Sequence, residues 1–268
     1  MGICRDKATT YLARFGYNVV RHPRIGVRPL MLVGRQRRST ELLGSLDQLI
    51  KDPGPLPSIK PDEVAAGISG QETSKLDAAV GVHVLGNILG ALGGKAAVKG
   101  HYGLAKTLQF TFPEVTLDSV DALEVSSFLT KAEVDRDSPL LAQYVLGRGN
   151  LYVITAIVKA QKFLVSAEAG GGGGVDIDAP AIQDVVGGAV VVAATGRAGA
   201  VFYEGKERLT FGFKCFEIGV ENGVIAMLNA RPGSLALALE ADEAPTAAIL
   251  EPDALLDFDD DPVGRDGS

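Results

Sequence analysis

The side chains with chemistry within reach are few: two cysteines, three histidines and a serine beside a glycine. Cys4 stands next to Arg5 and near Lys7, and neighbouring positive charge favours the reactive thiolate. It reads either as a site of modification or as an ordinary terminal cysteine. Cys215 closes the alternating run Leu209, Phe211, Phe213, Cys215 and reads as an inert core thiol. His22, His83 and His101 are far apart and lack metal-ligand spacing, so no metal site is expected. Gly67-Ile68-Ser69-Gly70 misses the G-x-S-x-G spacing of a nucleophile elbow. The five glycines Gly170 to Gly174 are not followed by the Gly-Lys-Ser/Thr of a phosphate-binding loop, and read as a flexible loop joining two strands. With no nucleophile–base pair in view, no catalytic residue is assigned and an enzyme is not expected. Asp6 stands where a myristoylation signal needs Ser or Thr.

The elements that must position these residues come from periodicity. Helical spacing of Tyr11, Leu12 and Phe15 predicts a short helix over 6–15, capped by Asp6. Val19-Val20 and Leu30 to Val33 read as strands around a basic turn, His22-Pro23-Arg24. The prolines of 52–61 mark a loop, and Val64 to Ser69 reads as a strand. Leu76 to Leu92 is apolar nearly all round, interrupted by Asp77, His83 and Asn87, and reads as a buried core helix. Leu108, Phe110 and Phe112 alternate with polar residues as in a half-buried strand; 119–132 reads as a helix; Leu151 to Val165 reads as a long β-branched strand. Asn222-Gly223 supplies a tight hairpin turn before Val224 to Leu228. The pattern is that of a mixed α+β chain around a largely antiparallel sheet.

Charge is segregated along the chain. Residues 240–268 hold ten acids and one base, Arg265, out of 33 acids and 26 bases in all. The remaining 25 bases and 23 acids give residues 1–239 a net of +2, where the whole is −7. The first 51 residues carry ten bases against three acids. An acidic end of this kind either masks what the basic part binds or simply aids solubility. Leu235, Leu237, Leu239, Leu255, Leu256 and Phe258 lie between its acids, as docking residues do. Two cysteines make no disulfide framework, the N-terminus lacks a secretory apolar stretch, and no run of 18 apolar residues exists, so a soluble cytosolic chain is expected.

Several stretches resemble the bacterial gasdermins: Met1-Gly2-Ile3-Cys4, then Tyr11-Leu12-Ala13-Arg14-Phe15-Gly16-Tyr17-Asn18-Val19-Val20-Arg21, Leu43-Gly44-Ser45-Leu46-Asp47-Gln48-Leu49 and Leu151-Tyr152-Val153-Ile154-Thr155. The resemblance implies a gasdermin N-domain-like fold, a twisted antiparallel sheet surrounded by helices, in residues 1–234. It implies an autoinhibitory peptide over 235–258, contacting the body through its leucines and Phe258, and a free acidic tail over 259–268. It further implies a palmitoyl group on Cys4, no other cofactor, and activation by a caspase-like or related protease. Glu240, Ala241, Asp242, Glu243, Ala244, Pro245, Thr246, Ala247, Ala248, Ile249 and Leu250 form the polar stretch between docking leucines best suited to the cut. The freed body is then expected to bind anionic lipid of the inner membrane, form a homo-oligomeric pore and kill the cell as a defence against phage. No nucleic-acid partner is implied. Alternating segments at 104–118, 151–168, 186–204 and 208–219 are the candidates for spanning strands, with the glycine run as tip or hinge. The alternative is a soluble carrier of an acyl chain or other apolar ligand, without pore activity.

Overall fold

The computed structural model describes residue 12 and residues 15–229, apart from 37–38, 74, 96–97, 131, 136–137, 145–148 and 222–223. Cys4, most of the helix expected at 6–15 and everything from residue 230 onward therefore lie outside the described residues.

Two long strands form the spine. β8 (Asn150–Glu168) and β10 (Ala200–Glu221) pair antiparallel from Leu151↔Ile218 to Ser166↔Ala200. At about 3.3 Å per residue, the 19 residues of β8 have a contour of roughly 60 Å. Every pairing of named strands is antiparallel, and among the described residues the sheet has eleven strands. The outer side of β8 is taken in succession by β2 (Met31–Gln36), β7 (Thr116–Val120) and β6 (Thr107–Thr111). The outer side of β10 is taken by β11 (Val224–Asn229), β1 (Asn18–Arg24) and β9 (Val190–Ala194). β3 (Ser39–Ser45) extends the sheet beyond β2, β4 (Ile59–Val64) beyond β7, and the two-residue β5 (Leu76–Asp77) beyond β6. The expected α+β fold with a largely antiparallel sheet is thus observed.

Among the described residues four α-helices lie against this sheet, each started by a capping side chain. Asp77 accepts from Ala79 N at 3.0 Å to start α1 (Ala78–Ala91). Asp121 starts α2 (Ala122–Leu129), Ser138 starts α3 (Pro139–Gln143), and Asp178 starts α4 (Ala179–Val186). One core lies among α1, α4 and the end of the spine around Phe163 and Tyr203; a second lies among α2, α3, Val153 and Phe216. Gly81 lets α1 approach β6 closely, since a Cβ there would stand 2.7 Å from that of Leu108.

Several expectations are corrected. His22-Pro23-Arg24 is not a turn: it lies within β1, where register breaks between Val19 and Arg24 and Pro23 needs no ladder donor. Val64 to Ser69 is not a strand: β4 ends at Val64, and Ser69 N bonds back to Ala65 O at 2.9 Å. α1 is not buried all round; Leu85, Ile88 and Leu89 are buried while Val80 is 43% exposed. The glycine run joins β8 to α4 rather than to a strand, and it is hydrogen-bonded, Ala169 N to Gly173 O at 2.8 Å. Segments 186–204 and 208–219 are not two strands, because β9 ends at Ala194 and residues 200–221 run as one. β10 and β11 pair as the expected hairpin, with Glu221 opposite Val224.

Candidate membrane-insertion segment

Four adjacent strands, β6–β8–β10–β9, separate two kinds of surface by strict alternation. Leu108 and Phe110, Phe163, Val165 and Ala167, Val201 and Tyr203, and Val190 all point to one face and are buried. Thr107 and Gln109, Lys162, Ser166 and Glu168, and Glu204 point to the other, where they are only half-buried. Leu164, Phe202 and the exposed Val191 share that second face, so it is amphipathic rather than purely polar. One apolar and one more polar face is what a strand needs between lipid and an aqueous lumen. Here α1 and α4 cover the apolar face.

Buried tyrosines tie that cover to the sheet. The hydroxyls of Tyr102, in a 3-10 turn after α1, and Tyr203 on β10 lie 2.5 Å apart. Tyr203 also stacks on Phe163, centroids 5.0 Å apart. Burial pushes the Tyr203 hydroxyl up to about 12, and burial with the neighbouring hydroxyl drives Tyr102 upward as well.

The ladder is interrupted once on a large scale. Glu204 pairs with Lys162 and Leu209 with Ala160, so Gly205 to Arg208 face the single residue Gln161, whose amide donates to Gly205 O at 2.9 Å. Arg208 reaches Asp62 on β4 at 2.5 Å, and Lys159 bridges Asp62 and Asp118 at 3.2 and 2.7 Å. The Lys159 hydrogen bond first, then the charges of Lys159 and Arg208, holds the Asp62 carboxyl below its usual range. This bulge separates the long-paired base of the spine from its helix-covered end.

Beyond the bulge, the connection 169–199 hides a second alternation. Ala169, Gly171, Gly173, Val175, Ile177, Ala179 and Ala181 continue the apolar side of β8; Gly170, Gly172, Gly174, Asp176 and Asp178 continue the other. In the fold, part of this stretch is helical: Val175, Ala179 and Ile182 pack into the core under the sheet.

An open cleft of about 580 Å³ runs along the outer side of α1, lined among others by Ala79, Val82, His83, Gly86, Asn87 and Tyr102. Its size is in the ~300–1,000 Å³ range of small-ligand clefts. His83 and Asn87 meet at 3.5 Å on its wall.

The remaining candidates fall into place as structure. Ser69 Oγ donates to Val115 O at 3.2 Å and accepts from Val115 N at 3.0 Å, stapling a turn. Cys215 is buried, and burial pushes its thiol upward, away from reactivity. Among the described residues no group of His, Cys, Asp or Glu can hold a metal, and no helix is long and apolar enough to cross a membrane, which says nothing of strands. Cys4, the stretch Glu240 to Leu250, and Leu235, Leu237, Leu239, Leu255, Leu256 and Phe258 lie outside the described residues. Sequence reading missed the bulge and the tyrosine pair: each depends on which distant residues meet.

This arrangement of a long two-strand spine with helices on one face of its end defines the gasdermin fold. The solved bacterial gasdermin from Bradyrhizobium tropiciagri shares it with a TM-score of 0.63 at 18% identity, over 83% of this chain and 90% of that one. Residues 20–224 match the Bacterial Gasdermin Family. Gasdermin bGSDM of Vitiosangium sp. is 47% identical over 97% of this chain and 99% of its own length, and that of a Desulfuromonadales bacterium 37% identical over 82% and 84%. The chain belongs to the bacterial gasdermin family, a family of pore-forming proteins.

Proposed function

We propose that the chain is a pore-forming protein held inactive by its own C-terminal peptide and released by proteolysis. Residues 1–234 are the pore-forming body, 235–258 the inhibitory peptide and 259–268 an acidic tail. A caspase-like or related protease cuts within Glu240 to Leu250; the body leaves the cytoplasm for anionic lipid of the inner membrane, oligomerises and perforates it, which ends the cell's life and limits phage.

The observation that carries this reading is the covered apolar face of β6–β8–β10–β9. β6 and β9 have five residues each, and a spanning strand needs about 9–11. Insertion therefore requires recruiting flanking chain, and 169–199 is patterned for it. With Ser166 opposite Ala200, a straightened connection pairs residues whose numbers sum to 366, which places the tip near Gln183 and consumes α4. Only a closed array of such strands satisfies every backbone group in lipid. A palmitoyl group on Cys4 is part of the same proposal; lodged in a cleft such as that beside α1, of about 580 Å³, each buried methylene would contribute ~0.8 kcal/mol to the resting state.

The deciding experiment uses the full chain with a site-specific protease sequence placed in 240–250, cut in the presence of phosphatidylglycerol-containing vesicles. Dye release on cutting is expected; a folded, cut protein that leaves vesicles intact overturns the proposal. The cleft also supports a second reading, a carrier of an acyl chain, which predicts changed ligand affinity on cutting and no leakage.

A further inference from the structure

The base of the spine and its helix-covered end are not in the same register. On the base side Leu209 stands opposite Ala160 and Thr210 opposite Lys159. On the other side Glu204 stands opposite Lys162 and Tyr203 opposite Phe163. The four residues Gly205 to Arg208 are set against Gln161 alone, a surplus of three in β10. Side chains alternate across a strand, so an odd surplus decides which face each residue takes. Continued without the bulge, the pairing of Leu209 with Ala160 would set Glu204 opposite Val165 and Tyr203 opposite Ser166. Glu204 would then stand among the buried residues of the apolar face, and Tyr203 on the polar one. With the bulge, Phe163, Val165, Val201 and Tyr203 share one face, and Lys162 and Glu204 the other. The separation of faces therefore depends on where the surplus is kept.

Side chains tie both ends of the bulge. At its start the Gln161 amide donates to Gly205 O at 2.9 Å. At its finish Arg208 meets the Asp62 carboxylate. The strand order there is β4–β7–β8–β10, so this pair spans two intervening strands. Asp62 has left-handed backbone, φ +55°, where β4 and β7 lose register between Lys60 and Glu63. A non-glycine residue in that conformation is uncommon and persists where its surroundings hold it. Here its N–H donates to Asp118 Oδ1 at 2.9 Å, and Lys159 bridges both carboxylates. In the resting fold the end has further restraints: Tyr203 bonds to Tyr102, and Gly205 packs under Leu92 at the end of α1. Those contacts are lost when the cover leaves. The ties made by Gln161 and Asp62 involve neither α1 nor α4, and they remain.

Resting on the pore-forming reading above, we propose that Gln161 and Asp62 are positioning residues that keep the surplus of β10 at Gly205–Arg208 while the helices leave, so that the lengthened β8–β10 hairpin enters lipid with its apolar residues on one face.

Disulfides read the register in the full chain, with a protease site in 240–250, on phosphatidylglycerol-containing vesicles. Lys162→Cys/Glu204→Cys reports the observed pairing. Val165→Cys/Glu204→Cys reports the pairing without the bulge, because these residues lie on opposite faces in the observed one. Each pair is placed in the parent and in Gln161→Leu/Asp62→Gly, where glycine suits the left-handed backbone and both ties are gone. Before cutting, oxidation and peptide mapping are expected to find the 162–204 link in both backgrounds. After cutting, the parent is expected to keep 162–204 alone. In the untied background the 165–204 link is expected to rise about tenfold over the parent, the weight of one neutral hydrogen bond and one exposed ion pair. Dye release by the untied chain without added cysteines is expected to fall several-fold, and either single change is expected to act in the same direction by less. An untied chain with the parent's links and the parent's dye release overturns the proposal, and so does a 165–204 link in the cut parent. Both results leave the pore-forming reading intact, whereas absence of dye release from the cut parent strikes that reading instead.

Discussion

Tyr102 and Tyr203 satisfy each other's hydroxyls where little else can. Tyr203→Phe leaves the Tyr102 hydroxyl buried without that partner, a loss of about 1–3 kcal/mol; the double change to Phe removes both polar groups and costs less than the single one. Denaturant unfolding of the single and double variants checks the order, and a double variant weaker than either single one contradicts it. Buried tyrosines also give an alkaline limit. Tyr152 and Tyr203 are pushed up to about 12, from about 10 in the unfolded chain. A raised folded value stabilises fully below the unfolded one and is lost as pH rises through the folded one. Resting stability is therefore expected to fall between about pH 10 and 12, with a shallower fall in Tyr203→Phe. Cys215 was legible as a core thiol from its alternation alone; the tyrosine pair was not, because its members are 101 positions apart and neither neighbourhood distinguishes them.

At the scale of elements, the latent alternation in 169–181 makes a prediction that the resting fold cannot obscure. Gly173 is exposed, a Cβ added there would meet nothing within 4 Å, and Asp176 is exposed too. Arginine at either position leaves the core alone. In a straightened hairpin, however, residue 173 lies on the lipid side near the middle of the charge-free run that faces lipid from Phe163 to Ala181. Arginine on that side costs ~2–4 kcal/mol at the midplane and ~0–1 near an interface. Gly173→Arg is expected to suppress dye release at least several-fold, and Asp176→Arg to leave it nearly unchanged; equal effects exclude this register. The long β8, α1 and the 222–223 hairpin were readable from period and turn chemistry. The break of β10 at Gly205–Arg208 was not, since a bulge is a mismatch between two strands and period along one strand cannot show it. β9 was read only as part of the longer segment 186–204: Val190 to Ala194 is apolar throughout, and its bounds are set by the pairing with β10 and the contact with Gln183.

For the whole molecule, charge and sheet set complementary conditions. Residues 1–239 carry +2 and residues 240–268 carry −9, so a cut just before Glu240 leaves the body at +2 and one after Glu243 leaves it at −1, against −7 for the whole chain. The change is modest in sum but uneven, because the first 51 residues alone hold ten bases. Anionic lipid attracts basic residues near its surface by ~1 kcal/mol each, and salt screens that attraction over ~10 Å at 0.1 M. Binding of the cut chain to phosphatidylglycerol vesicles is therefore expected to weaken steeply between about 50 and 500 mM salt, the range over which screening becomes complete, and to be nearly lost on vesicles of neutral lipid. The uncut chain is expected to bind weakly at every salt concentration. Co-sedimentation with vesicles measures both. If neutralising the tail acids to amides, without any cut, is enough to permit leakage, then charge alone restrains the body; if it permits binding without leakage, the leucines and Phe258 of the peptide do the restraining. The second result is the one expected, because surface charge acts on the approach to a membrane, while the separation of α1 and α4 from the apolar face of β6–β8–β10–β9 exposes a packed core that long-range attraction does not reach.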